Sequence, residues 1–250
     1  MIPASLRDLL PPGVGIALRR LTDAAPPLWP GEAEAVARAV PARQREFASG
    51  RAAARSAMAG VGWPAQALPA GPDRAPLWPA GLVGSISHTR SWAGAVVAHQ
   101  SDWAGIGFDL EPATPMPDDL AAMVLAPGDQ PGDLLPPALA AKLIFSVKEA
   151  AFKAQFPLTG LWLDHRDVAV RLSHGAFSLR VRDVALKGRW VQTTPMQDRN
   201  MQAGDMHDGN TQAGGMQAGD MPTTAMFASV LLVGAEQGRQ LGGLGVDVMA

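Results

Sequence analysis

Apolar and polar positions change period along this chain, and the two clearest patterns carry acidic residues. In Gly105-Ile106-Gly107-Phe108-Asp109-Leu110-Glu111-Pro112 the alternation is two-residue. This predicts a strand with Phe108 and Leu110 on one face and Asp109 and Glu111 on the other, stopped by the proline. Between 137 and 156 the spacing lengthens to that of a helix. Leu139, Leu143, Val147 and Ala150 form an apolar stripe, and Lys142, Ser146, Glu149 and Lys153 form a neighbouring polar one. Pro157 is expected to end this helix.

Shorter runs predict the other elements. Residues 32–40 read as a helix. A second helix runs over 41–59, with Pro41 suited to a first turn and Gly60 beyond its end. Strands are expected near 14–18, 82–87, 93–98, 168–172, 177–181, 189–193 and 226–233. The rest of the first 30 residues, the Pro/Gly stretch 63–81 and the Pro- and Asp-rich segment 113–135 read as irregular. Between the last two strands Met196, Met201, Met206, Met216, Met221 and Met226 fall on a five-residue period, with Thr211 at the missing step. Such a period suits neither helix nor strand. Residues 195–225 are therefore read as a disordered repeat insertion in a hairpin rather than as soft Met ligands for Cu(I).

The 250 residues, 47% of them hydrophobic, suffice for one domain or two small packed halves. A formal net charge of −2 gives no basic field for nucleic acid or a membrane surface. There is no cysteine, which excludes disulfides, thiolate metal sites and a Cys nucleophile. The N-terminus breaks at Pro11-Pro12 without a leader pattern, and no apolar run is long enough to span a bilayer. A cytoplasmic protein with no membrane or nucleic-acid partner is expected.

Two like charges on one strand face are costly unless a cation offsets them, so Asp109 and Glu111 point to an oxygen site for a hard ion such as Mg²⁺. Glu149 and Lys153 share a helical stripe and can reach a common site. The blander reading is an i,i+4 salt bridge on a solvated face. Gly84-Ser85-Ile86-Ser87-His88 places a hydroxyl and an imidazole where a strand leaves the sheet, both able to bond phosphate oxygens. Arg51 and Arg55 lie one helical turn apart, and Arg74 precedes the same strand in Arg74-Ala75-Pro76-Leu77-Trp78-Pro79. Guanidinium groups suit phosphate because they bind it in a fork. His99, His165, His174 and His207 show no comparable setting.

Gly-Arg on a helix, Arg-x-Pro-x-Trp-Pro, Gly-Ser-Ile-Ser-His, Gly-Ile-Gly-x-Asp-x-Glu and Phe-Ser-x-Lys-Glu-x-x-x-Lys occur here in one order over residues 47–154. Jointly they resemble the 4′-phosphopantetheinyl transferase superfamily, in its Sfp-type branch, nearest the enterobactin synthetase component D group. The resemblance implies an α+β, pseudo-two-fold fold of two similar subdomains, each a long helix packed on a small antiparallel sheet. Residues 1–104 and 105–250 would form the two halves, with coenzyme A in the cleft between them.

It also implies a Mg²⁺-dependent enzyme that moves the phosphopantetheine arm of coenzyme A, its co-substrate, onto a serine of an apo carrier protein. A peptidyl, aryl or acyl carrier would serve, favouring siderophore or other nonribosomal peptide synthesis, and the enzyme would be a monomer. Asp109, Glu111 and Glu149 would ligate the metal. Glu149 is also the candidate base, a role that competes with ligation. Lys153 would sit by the pyrophosphate, and Arg51, Arg74, Ser87 and His88 would contact coenzyme A phosphates, with Arg55 and Lys148 as further candidates. Two other readings stay open: a degenerate homologue that binds without turnover, and an unrelated Mg²⁺-dependent phosphohydrolase.

Overall fold

The two periodicities fold into two antiparallel sheets, each carrying one long helix. The computed structural model describes residues 2–21, 24–194 and 225–246. In chain order the elements are α1 (Ala4–Arg7), β1 (Gly15–Arg20), α2 (Pro41–Gly60), β2 (Leu82–His88), β3 (Trp92–His99), β4 (Gly105–Pro112) and α3 (Asp118–Val124). There follow α4 (Pro137–Thr159), β5 (Val170–Ser173), β6 (Ala176–Val181), β7 (Val184–Gln192), β8 (Met226–Val233) and α5 (Ala235–Val246). One sheet has the order β1-β3-β2 and the other β4-β8-β7-β6-β5. Every pairing between these strands is antiparallel, so the class is α+β.

Small residues set how closely helix and sheet approach. Helix α2 turns Ala53, Ala54 and Ala57 onto β1 and β3, where they pack with Ala95 and Val97. On α4, Leu143 and Val147 pack with Phe227 and Leu231 of β8. A Cβ on Gly107 of β4 would lie 1.7 Å from the Ala150 carbonyl oxygen of α4. Only glycine allows that approach, which brings the acidic strand against the helix carrying Glu149 and Lys153. Gly107→Ala is expected to destabilise the fold by at least the roughly 1–3 kcal/mol of a strained core. Chemical denaturation compared with the unaltered protein measures it.

The sheets meet where β2 runs beside β4, and no main-chain ladder joins them. Serine hydroxyls replace it. The Phe108 N–H donates to Ser85 Oγ at 3.0 Å and the Leu110 N–H to Ser87 Oγ at 3.2 Å. Phe108 and Leu110 themselves are fully buried with Val96, Ala98 and Val230. The Gly-Ser-Ile-Ser segment is thus a seam as well as part of a site.

Several elements differ from the sequence expectation. Residues 32–40 hold a 3-10 turn over Ala33–Val36 instead of a helix. Pro41 favours an extended residue before it, and Val40 has ψ 152°, so a new helix begins there. Helix α4 does not stop at Phe156. It runs through Pro157 to Thr159, and Gly160 at φ 66° caps it by donating to the Phe156 carbonyl. Pro157 lacks the N–H that would bond the Lys153 carbonyl, and only two helical residues follow it. Strand β7 starts at Val184 rather than near 189, because Arg182 at φ 49° completes a two-residue turn from β6 that no Gly or Asn announces. The nominally irregular stretches contain α1 and α3, β1 reaches Arg20, and α5 follows β8. The repeat insertion lies outside the described residues, while Met226 opens β8. Among the described residues no helix is long and apolar enough to cross a membrane.

Candidate active site

Where β2, β4, α2 and α4 come together, a cleft of about 900 Å³ opens. Arg51 of α2, Arg74, Ser87 and His88 of β2, Asp109 and Glu111 of β4, and Glu149 and Lys153 of α4 all line it. These eight expected site residues are therefore brought to one place.

Asp109 is 3% exposed. Its Oδ1 accepts from Ser87 Oγ at 2.8 Å and from Lys153 Nζ at 2.6 Å. Its Oδ2 is buried without a hydrogen-bond partner. Glu111 faces Lys142 Nζ at 3.3 Å. Burial, then the neighbouring Asp109 charge, push the Glu111 carboxyl above its ordinary pKa, against the pull of Lys142. Glu149 Oε1 lies 2.9 Å from His165 Nε2. That bond is the main reason the Glu149 carboxyl sits below its ordinary pKa, with Lys153 acting in the same direction and burial opposing. The same bond raises the His165 imidazole. Glu149 and Lys153 thus do not pair with each other, so the i,i+4 salt bridge of the bland reading is absent.

The opposite wall is basic. Arg51 is buried, and desolvation lowers its pKa to about 10. Its Nε donates to the Leu68 carbonyl at 2.6 Å and its guanidinium lies 4.1 Å from the Phe47 ring centroid, while Nη2 is buried with no partner. Arg74 occupies a left-handed conformation at φ 68° in a turn whose N–H bonds Gly71 O at 2.9 Å. Arg43 Nη1 meets His88 Nε2 at 2.5 Å, which leaves that ring nitrogen as acceptor. Burial, the largest influence, lowers the His88 pKa, while Glu46 raises it.

Two candidates, Arg55 and Lys148, and the stripe residue Ser146 fall elsewhere. Arg55 is committed to buried Glu32 at 2.7 Å and does not line the cleft. Lys148 is buried among the Val124 and His165 carbonyls and Asp129 Oδ2, and so ties α4 to its neighbouring loops. Ser146, on the supposed polar stripe, is fully buried and donates to Ser229 Oγ at 3.1 Å. The sequence reading missed two residues. Arg43 stands two helical turns before Arg51, a spacing that could have revealed it. His165 lies beyond the end of α4, where no periodicity links it to Glu149.

Among the described residues no three acidic or histidine side chains stand together as a cation cluster. Asp109, Glu111 and Glu149 each pair with a different basic side chain, Lys153, Lys142 and His165 in turn. The orphaned Asp109 oxygen and the charge repulsion on Glu111 are nevertheless what a hard, oxygen-ligated cation relieves, so the donor set fits Mg²⁺. The unpaired Arg51 nitrogen across the cleft fits an anion.

Residues 31–98 match the family model described as the 4′-phosphopantetheinyl transferase N-terminal domain. Over 161 residues the chain is 43% identical to the 4′-phosphopantetheinyl transferase Svp of Streptomyces mobaraensis, covering 62% of this chain and 65% of that protein. It is 35% identical over 145 residues to the 4′-phosphopantetheinyl transferase Npt of Nocardia iowensis, covering 56% and 64%. Identity to enterobactin synthase component D of Salmonella typhimurium is 40% over 121 residues, covering 45% and 48%. The chain thus spans between about half and two thirds of the length of these relatives.

Proposed function

We propose that this member of the 4′-phosphopantetheinyl transferase superfamily transfers the phosphopantetheine arm of coenzyme A to a serine of an apo carrier protein, releasing 3′,5′-ADP. The observation that carries the reading is the convergence of five separate stretches, around 51, 74, 87–88, 109–111 and 149–153, on one cleft. One wall carries buried cationic nitrogen and the other buried carboxylate.

In this reading Arg51, Arg74, Ser87 and His88 hold the coenzyme A phosphates, and Arg43 joins them through His88. Glu149, whose carboxyl is easily kept ionised, takes the proton as the serine oxygen bonds to the β-phosphorus of the pyrophosphate. The phosphorus–oxygen bond to the 3′,5′-ADP breaks, and its electron pair leaves with that group. Lys153, anchored on Asp109, offsets charge at the pyrophosphate. Asp109 and Glu111 would hold Mg²⁺, which when bound neutralises pyrophosphate charge and polarises the phosphorus, with Glu149 kept as the base rather than as a third ligand. One Glu149 oxygen is tied to His165, so the other must meet the demands of the cleft. The name of the enterobactin synthase relative supports a siderophore or other nonribosomal peptide carrier as acceptor. We place the enzyme in the cytoplasm as a monomer.

Intact-mass analysis of several apo carrier proteins, incubated with coenzyme A, Mg²⁺ and this protein, tests the reading. A gain of one arm that EDTA suppresses and excess Mg²⁺ restores is the expected result. No gain on any carrier, despite measurable coenzyme A binding, overturns it in favour of a binding protein without turnover.

A further inference from the structure

Among the described residues Glu149 has one side-chain partner, and it comes from outside its own helix. His165 sits in a 3-10 turn, His165–Asp167, whose geometry is locked by a reciprocal capping box. The Asp164 side chain accepts from the Arg166 N–H at 3.0 Å, and Asp167 accepts from the Asp164 N–H at 2.8 Å. Lys148, the residue before Glu149, donates to the His165 carbonyl at 2.7 Å and so fastens this turn to α4. The imidazole lies on the Phe145 ring with centroids 5.3 Å apart and planes at 31°. Backbone, ring plane and loop are therefore each restrained before the imidazole meets Glu149.

Glu149 lines the main cleft and also a second pocket of about 290 Å³, which His165 lines as well. Lys153 lies one turn along α4, at the i,i+4 distance where a carboxylate and an ammonium ordinarily pair. It is bound to Asp109 instead. Were Glu149 free, it would compete with Asp109 for that ammonium.

We propose that His165 is a positioning residue for Glu149, holding one carboxylate oxygen away from Lys153 so that the other is presented to the reacting hydroxyl while Lys153 stays with Asp109. The inference rests on the transfer reaction proposed above. Because His165 does not line the coenzyme A cleft, its loss changes turnover rather than coenzyme A affinity.

Steady-state kinetics of His165→Phe and His165→Gln test this. The phenylalanine keeps a ring on Phe145 and removes the polar nitrogen, whereas the glutamine restores a donor at similar reach. His165→Phe is expected to lower kcat by about 10-fold or more, as for other residues that orient an active-site ligand. KM for coenzyme A should stay within about twofold, and His165→Gln should recover most of kcat. An unchanged kcat in His165→Phe, a glutamine variant as impaired as the phenylalanine one, or a loss confined to the coenzyme A KM overturns the assignment. If His165→Phe does not fold, His165→Met replaces it.

A double-mutant cycle in thermal unfolding of the metal-free protein, pairing His165→Phe with Glu149→Ala, needs no activity. The double variant should lose less than the sum of the single losses, and strict additivity overturns the pairing. Failure of the unaltered protein to load any carrier would instead overturn the transfer reaction, leaving this cycle to decide the pair.

Discussion

Asp109→Asn is expected to lower arm transfer by about 10²–10³-fold, the loss typical of removing one preorganised charge from a reacting centre. The carboxylate joins three of the elements that build the cleft, β2, β4 and α4. It receives Ser87 from β2 and Lys153 from α4, and keeps one oxygen buried and unpaired. Asparagine preserves the volume and an oxygen for the Ser87 hydroxyl, so the β2–β4 seam survives. What it loses is the charge that anchors Lys153 and the oxygen available to a cation. The Glu111 carboxyl should fall back toward its ordinary pKa, since Asp109 is one of the causes that raise it. Single-turnover loading of an apo carrier, with a melting curve as control, measures the effect. A loss below tenfold with the fold intact would remove Asp109 from the reaction.

Glu32→Ala should bring the largest change in stability, about 3–5 kcal/mol, the usual cost of leaving one half of a buried ion pair uncompensated. The thermal midpoint would then fall by roughly 6–20 °C for a chain of this size. Glu32 is fully buried. One oxygen accepts from Arg55 at 2.7 Å and from the Leu68 N–H at 2.9 Å, and the other accepts from the Trp29 N–H at 2.8 Å. Arg55 also lies 4.5 Å from the Trp29 ring centroid. The network straps the segments around 29 and 68 to α2. Arg51 bonds the Leu68 carbonyl, so the basic wall of the cleft hangs on the same strap. Differential scanning calorimetry of the variant checks the prediction. A midpoint within 2 °C of the unaltered protein would mean that Arg55 finds another partner or reaches water.

Glu32 also shows where reading the chain stops. It opened a stretch expected to be helical, and nothing in its neighbourhood names an arginine 23 positions on. Arg55 in turn shares a helical face pattern with Arg51, yet one serves the fold and the other lines the cleft. Their spacing cannot separate them, because burial of a guanidinium depends on which distant segment covers it. Ser87 was expected at the phosphates and does line the cleft, but its hydroxyl also closes the seam with β4.

The strand carrying Asp109 and Glu111, the helix carrying Glu149 and Lys153, and the residue types gathered in this cleft were all legible from the order of amino acids. Alternation and helical spacing follow from backbone geometry, which acts over a few residues and is written locally. Gly107 was part of the same legible motif, although its need for close approach to Ala150 appears only when the helix lies on the strand. Partner choice is another matter. Lys153 joins Asp109 across 44 positions, Glu149 joins His165 beyond the end of its own helix, and Pro157 is accepted inside α4. Such pairings arise from packing two sheets and their helices together. Coulomb attraction and desolvation act through space, and a one-dimensional pattern carries no measure of that distance.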